Sequence, residues 1–522
     1  MDTVIRRAFV LPGEGPGFTG DVAVADGRIV AVAHQLPDVT GALVVDGEGL
    51  LLCPGFIDMH AHTALESFRN PWLEPKVAQG FTTELIHPDG LAPAPVSLQG
   101  VEARRAYLRA LEGEGPTRWD WSSFAKYLDA LHATRPVTTL IPSAGHNAIR
   151  DFVMGGEQRA PTLDELKEMQ YQVRLALEAG ARALSFGLIY FPGVFSNFEE
   201  LTALAEVAAE FEVPLVPHVR NEGDQILSAV MEMIQVARKS GAALHLSHLK
   251  VVGNARWVEP LLELIDKARR DVDITFDQYP YGAGSTILTA LLPPWAQEGG
   301  PEKILSRLED LQIRRRMGSD MERGLTGWEN LYGACGPEKI YIASAGNNRE
   351  KDIGSSLAEI AERLGEDPVQ VVMDLLADTQ LNVTMVDHYA SEETVRAIFG
   401  HPAALVGTDG IFGVHPHPRL YGTAARVLGR YALRENLISV EQAVARLTAK
   451  AADRLRLRDR GRIQPGLRAD LVLLDPARFV DTASYEKPKQ TPPGVALVMV
   501  DGQIVRKDGK RTEARPGGVL GL

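Results

Sequence analysis

"PGFIDMHAH", residues 54–62, ends an apolar run with two imidazoles one residue apart, His60 and His62, behind Asp58. Read as a β-strand, the run puts alternate side chains on one face, so both histidines point the same way, about 7 Å apart along the backbone. Two imidazoles so placed can converge on one ion. A lone histidine is ordinarily a surface or hydrogen-bonded core residue, so the reading turns on whether other strands of the chain end alike.

Short apolar segments alternate with amphipathic helical stretches through the middle of the chain, the signature of parallel β/α construction. The strand candidates are "LLCPGFIDMH", "FTTELIH" (81–87), "TTLIPSAG" (138–145), "ALSFGLIY" (183–190), "PLVPHV" (214–219), "ALHLSH" (243–248), "ITFDQYP" (274–280) and "ALVGTD" (404–409). Between them, "NFEELTALAEVAAEF" and "DQILSAVMEMIQVARKSG" carry apolar residues at three and four spacing, the second stopping at Gly241. Eight strands in this rhythm predict an α/β fold, a (β/α)8 TIM-like barrel. A further run, "NVTMVD" (382–387), competes for a strand position. Residues 94–136 and about 283–345 break the rhythm and read as insertions over the barrel mouth.

Both ends of the chain look β. "DVAVADGRIVAVA" (21–33) folds two β-branched runs around Asp26 and Gly27, and "VALVMVDGQIVRKDG" (495–509) repeats the design around Asp501 and Gly502, preceded by "ADLVLLD" (469–475). The expectation is a small β-sandwich built from residues 1–55 and 455–522, beside a β/α barrel over 56–454.

In a parallel barrel all strands finish at one rim, where active sites form. His218 ends "PLVPH", His248 ends "LHLSH", Asp89 follows "TTELIHP" and Asp409 ends "ALVGTD". With His60 and His62 these make four histidines and two carboxylates. That exceeds the needs of one tetrahedral zinc and points to two metals with a shared ligand.

The 522 residues carry a formal net charge of -13, which argues against nucleic acid or an anionic membrane as partner. A composition 45% hydrophobic and 24% charged is that of an ordinary soluble globular protein. Only Cys53 and Cys335 are present, too few for a disulfide framework. Neither a signal peptide nor an uncharged apolar run of about 18 residues stands out. The expectation is a cytoplasmic enzyme acting on a small molecule, with assembly into a homo-oligomer left open.

"PGFIDMHAH", "VPHVRNEG", "LSHLK", and "GTDG" followed by "HPHPRLYGTAARVLGRY" resemble the amidohydrolase superfamily, and within it the D-aminoacylase group of N-acyl-D-amino-acid deacylases. The resemblance covers nearly the whole chain, including the tail "PKQTPPGVALVMVDGQIV". It implies zinc-dependent hydrolysis of the amide of N-acylated D-amino acids on a β/α barrel. By the same resemblance His60 and His62 bind one metal, His218 and His248 the other, and Asp409 is the catalytic acid/base and a ligand. One motif departs. Where the group's pattern after the second strand ends in Asn-Cys-Gly, this chain reads "HPDG", with Asp89 in the cysteine position. The bridging lysine of other superfamily members is absent from "ALSFGLIY", so Asp89 is the expected bridge, with neighbouring His87 a rival ligand and Glu84 a weaker one. A carboxylate in place of a thiolate widens tolerance toward manganese or cobalt.

A deacylase acting on amino acids must also hold an α-carboxylate, a task suited to arginine. Arg419, in "HPHPRLYG", matches the group's substrate arginine, and Tyr190, Lys250, Tyr279 and Ser285 match positions that contact substrate. No metal role attaches to His415 and His417, and His146 and His388 read as structural. The apolar stretch "STILTALLPPWA" (285–296) is either a lid accepting an apolar substrate group or the insertion's own core. Two other functions stand beside deacylation: hydrolysis of a cyclic amide (hydantoin- or dihydroorotate-like) or a dipeptide, disfavoured by the missing lysine and by "HPHPRLYG"; and a non-catalytic scaffold, which has no need of a complete ligand set.

Overall fold

The apolar runs pair in parallel, as runs that bury both faces do. In the computed structural model, which describes residues 1–38, 41–346 and 349–521, Phe56–Ala61 pairs with Phe81–Ile86 and that strand with Thr139–Pro142. After Ser143 the chain resumes at Ala144–Gly145. From there the parallel order is Leu184–Gly187, Leu215–His218, Leu244–Leu246, Ile274–Gln278 and Ala404–Val406. A parallel bridge between Ala61 and Gly410 links the end of this series to its first strand.

The helices pack their apolar stripes against these strands. Ile226–Ser240 buries Ile226, Val230, Met233, Ile234 and Ala237, and it stops at Gly241, whose φ of 78° is the left-handed conformation that lets glycine end a helix. Phe198–Glu210 starts at Asn197, whose side chain accepts the Glu200 N–H.

The two chain ends share one nine-stranded sheet. Its junction is the antiparallel pair Leu51–Pro54 with Leu471–Leu474. Asp26 and Gly27 (φ 49° and 75°) and Asp501 and Gly502 (φ 48° and 76°) each place two left-handed residues between paired strands, the geometry of a tight hairpin turn.

The run "NVTMVD" does not join the parallel series. Its strand, Val383–His388, runs antiparallel to both Ala283–Ile287 and Ile340–Ala345 in a separate three-stranded sheet, so the inserted structure reaches past residue 345. Of the apolar stretch 285–296, Leu288, Leu291, Leu292 and Ala296 are buried in the core of this unit, together with Ile304, Met317, Ile360 and Val372. Most of the stretch is therefore the insertion's own core; Pro294 and Trp295 instead line a cavity.

One buried polar knot ties the first and last parallel strands. Lys76 is fully buried, and its Nζ donates to Asp58 Oδ2 and to Thr408 Oγ1, both at 2.6 Å. Asp58 also accepts the Thr408 N–H at 2.7 Å and the His60 N–H at 3.1 Å. Asp58 thus fixes the backbone that carries His60. Removing the ammonium strands a buried carboxylate, so Lys76→Met should lower stability by about 3–5 kcal/mol in a urea titration. An unchanged midpoint would contradict the role given to this knot.

Candidate metal centre

His60, His62, Asp89, His218, His248 and Asp409 come from five different strand ends and meet in one buried cluster. Asp89 stands at its middle. Its Oδ2 is 3.5 Å from His60 Nε2 and 3.7 Å from His62 Nε2, while Oδ1 is 3.7 Å from His218 Nδ1 and 3.4 Å from His248 Nε2. One oxygen thus faces each histidine pair. Asp409 Oδ1 lies 3.2 Å from His62 Nε2 and 3.5 Å from His60 Nε2.

Local backbone sets these positions. Asp89, His248 and Asp409 all adopt left-handed φ values (56°, 33° and 48°), a conformation costly for side-chain-bearing residues and concentrated at functional sites. The Asp89 turn rests on Gly187, where an added Cβ would come 1.9 Å from the Asp89 carbonyl oxygen. Only glycine fits beneath it.

The donor atoms form three overlapping groups, each within 4.8 Å: His60, His62 and Asp409; His60, Asp89 and His248; and His218, Glu222 and His248. Both ring nitrogens of His60, Oδ1 of Asp89 and Nε2 of His218 are buried without a hydrogen-bond partner. Buried polar atoms are nearly always satisfied, and a divalent cation is the partner that imidazole nitrogens and carboxylate oxygens share. These residues fit one.

Charge in the cluster is mutually supporting. Burial opposes ionisation of Asp89, but His60, His218 and His248 hold its carboxyl well below the usual range. Burial likewise opposes the charged form of His62, and Glu112 and Asp409 outweigh it, raising the imidazole to about 10. Asp409 is buried, yet Arg419, His60 and His62 keep it ionised far below the ordinary carboxylate value.

His87 does not join the cluster. Its Nε2 is 2.8 Å from the Tyr127 hydroxyl and its Nδ1 3.1 Å from the Ser143 carbonyl oxygen, so both nitrogens are engaged elsewhere. Burial lowers its pKa to about 3. Glu84 points to Thr138 and Lys76. His146 pairs with Glu200 at 2.7 Å, and His388 packs beside Tyr485.

All five residues expected to contact substrate line one cavity with His218, His248 and Asp409. Arg419 is fully buried. Its Nη2 donates to the Ser285 carbonyl oxygen at 2.9 Å and reaches Asp409 Oδ1 at 3.0 Å, its guanidinium lies 4.3 Å over the Tyr279 ring, and its Nε and Nη1 have no protein partner. His417 positions it, accepting the Arg419 N–H at Nδ1 while Nε2 sits 2.9 Å from the Ala283 carbonyl oxygen. The Tyr190 hydroxyl pairs with Thr286 at 2.8 Å. Lys250 donates to Glu222 at 2.8 Å.

Three acids of the site escaped the sequence reading. Glu112, 2.7 Å from His62 Nδ1, arrives on the helix Val101–Glu112 within the region that broke the β/α rhythm. Glu222 lies 3.2 Å from His248 Nδ1 and 3.7 Å from His218 Nε2; its offset of four from His218 was the available signal. Glu329, from the insertion, accepts the Glu222 N–H at 2.6 Å, and nothing in its surroundings in sequence marks it.

Residues 43–302 and 317–506 match the amidohydrolase family. The chain belongs to that family. This amidohydrolase is 34% identical to N-acyl-D-glutamate deacylase of Alcaligenes xylosoxydans xylosoxydans over 100% of its own length and 96% of that protein. Among solved structures it resembles N-acyl-D-glutamate deacylase from Bordetella bronchiseptica in complex with zinc and a phosphonate mimic of the tetrahedral intermediate (TM-score 0.82, 32% identity, 99% of each chain). It also resembles a D-aminoacylase studied for one-metal activation and second-metal attenuation (TM-score 0.83, 29% identity, 99% of each chain). These relatives give the amidohydrolase a fold of the TIM-barrel type.

Burial and the nearby Glu222 carboxylate push the Glu329 carboxyl of this amidohydrolase from 4.5 up to about 8. Between those values the folded chain holds a proton that the unfolded chain has released, so stability declines as pH rises, by on the order of 1 kcal/mol per pH unit. Glu329→Gln should flatten that decline between about pH 5 and 8 in urea titrations; an equally steep profile would show that Glu329 ionises normally.

Proposed function

We propose that this amidohydrolase removes the acyl group from N-acyl-D-amino acids by metal-assisted attack of water. The observation that carries the reading is the meeting, at one cavity, of the Asp89-centred histidines with Asp409 and the partner-free nitrogens of buried Arg419. Relatives at 28–34% identity over almost the whole chain act on such substrates.

The ion is zinc, with manganese or cobalt as substitutes. With one or two ions bound, His60 and His62 would hold one and His218 and His248 the other, with Asp89 and Asp409 as carboxylate ligands; Glu222 lies within reach of the second pair. Zinc bound there lowers the pKa of a water to about 7 and polarises the amide carbonyl. Asp409, ionised at neutral pH, takes the proton of the attacking water and returns it to the departing nitrogen. Arg419 orients the substrate through its α-carboxylate, with Tyr279 packed beneath the guanidinium. Lys250, Tyr190 and Ser285 complete the wall around the acyl amide.

The same proposal assigns the parallel strands to a closed eight-stranded barrel, for which the Ala61–Gly410 bridge is the support, and the terminal sheet to a sandwich domain of residues 1–55 and 455–522. The insertion then spans 283 to about 388. Two free, buried cysteines suit a reducing, cytoplasmic setting.

The experiment is a screen of N-acetyl and N-formyl D- and L-amino acids with added zinc, manganese or cobalt. D substrates should be hydrolysed. Turnover of L substrates only, or of hydantoins alone, would defeat the assignment. Asp409→Asn should then cost roughly 10²- to 10⁴-fold in kcat while the protein keeps its zinc. Asp89→Ala should instead lower bound zinc itself, read by metal analysis of the purified variant. Full zinc occupancy in that variant would remove Asp89 from the ligand set.

A further inference from the structure

The cavity at the metal centre continues outward. An outer cavity of about 440 Å³ shares two wall residues with it, Ile189 and Glu329, and is also faced by the apolar and aromatic Leu188, Phe195, Trp295 and Trp328 and by Arg159 and Arg220. Glu329 thus lines both cavities.

Every described cation along this path already has a carboxylate. Lys250 is paired with Glu222, Arg419 with Asp409, Arg220 with Glu232 at 3.1 Å, and Arg159 with Glu165 at 2.7 Å. The converse does not hold. Glu329 is 5% exposed, its Oε2 has no hydrogen-bond partner, and among the described residues no cation lies within ion-pair distance of it or of Asp387, the second acid of the same wall. Burial raises both acids, Glu329 to about 8 and Asp387 to about 7. A buried acid without a cation partner resists ionisation, and an arriving cation offsets that cost where an arriving carboxylate cannot.

We propose that Glu329 is a specificity-determining residue selecting N-acyl-D-amino acids with a basic side chain and rejecting acidic ones. The proposal rests on the deacylase reading above. The substrate's aliphatic stem lies along the apolar and aromatic wall, and its charged head meets the unpartnered Oε2. Selectivity here arises because a basic head stabilises the ionised form of Glu329, a gain that an acidic or uncharged side chain does not supply. It would separate this chain from its 34%-identical relative, whose name specifies an acidic amino acid.

The test compares kcat/KM of the zinc-loaded protein for N-acetyl-D-lysine, its uncharged near-isostere N-acetyl-D-norleucine, N-acetyl-D-glutamate and N-acetyl-D-alanine. Lysine should exceed norleucine by about tenfold or more, mainly through KM, with glutamate below both. In Glu329→Gln the lysine-to-norleucine ratio should fall to about one. A wild-type preference for norleucine or glutamate over lysine overturns the proposal even if the variant does not fold, as does a lysine preference that survives in Glu329→Gln. If N-acetyl-D-alanine is turned over, such results leave the deacylase reading standing; if no N-acetyl-D-amino acid is hydrolysed, both fall.

Discussion

A carboxylate whose two oxygens each face a pair of imidazoles, all of them buried, is a constellation that protein groups alone do not satisfy. His218 Nδ1 and His248 Nε2 share a hydrogen bond at 2.8 Å, but both nitrogens of His60, Nε2 of His218 and Oδ1 of Asp89 are buried without a partner. A divalent cation is the partner such atoms share. The rest of the architecture serves that arrangement. Parallel strands bring their ends to one rim, the Lys76–Asp58–Thr408 knot fixes the strand that carries His60, and Gly187 leaves room for the strained turn at Asp89.

Much of this was legible in the sequence because strand ends are punctuated. Each of His60, His218, His248 and Asp409 closes a short, largely apolar segment, and a parallel sheet converts that one-dimensional regularity into proximity. The sequence favours Asp89 over His87 by motif position alone, since both sit in the turn after the second strand. Both have left-handed φ, and what separates them is their partners: Tyr127 and the Ser143 carbonyl engage His87, while Asp89 turns toward the cluster. Tyr127 comes from a helix about 40 residues away, which no local pattern reveals.

The misplaced features share a cause. Val383–His388 looked like a strand and is one, but strand character says nothing about which sheet a segment joins, and its partners lie in the insertion. Glu112 and Glu329 come from segments outside the β/α rhythm, so their arrival at the site depends on tertiary packing alone. The proposed ligands stand at predictable strand ends, whereas two of the three missed acids, Glu112 and Glu329, come from segments outside that rhythm. On the proposed reading the same division separates reaction from selectivity: the strand ends would supply ligands and acid/base, and the insertion the wall beside a substrate arm.

The most direct test of the central claim is the location of zinc itself. Crystals grown with zinc and measured at its absorption edge should show an anomalous peak, or two, beside Asp89 and between the His60–His62 and His218–His248 pairs. Zinc absent from that position, with the six side chains ordered and hydrogen-bonded only to protein and water, would contradict the account.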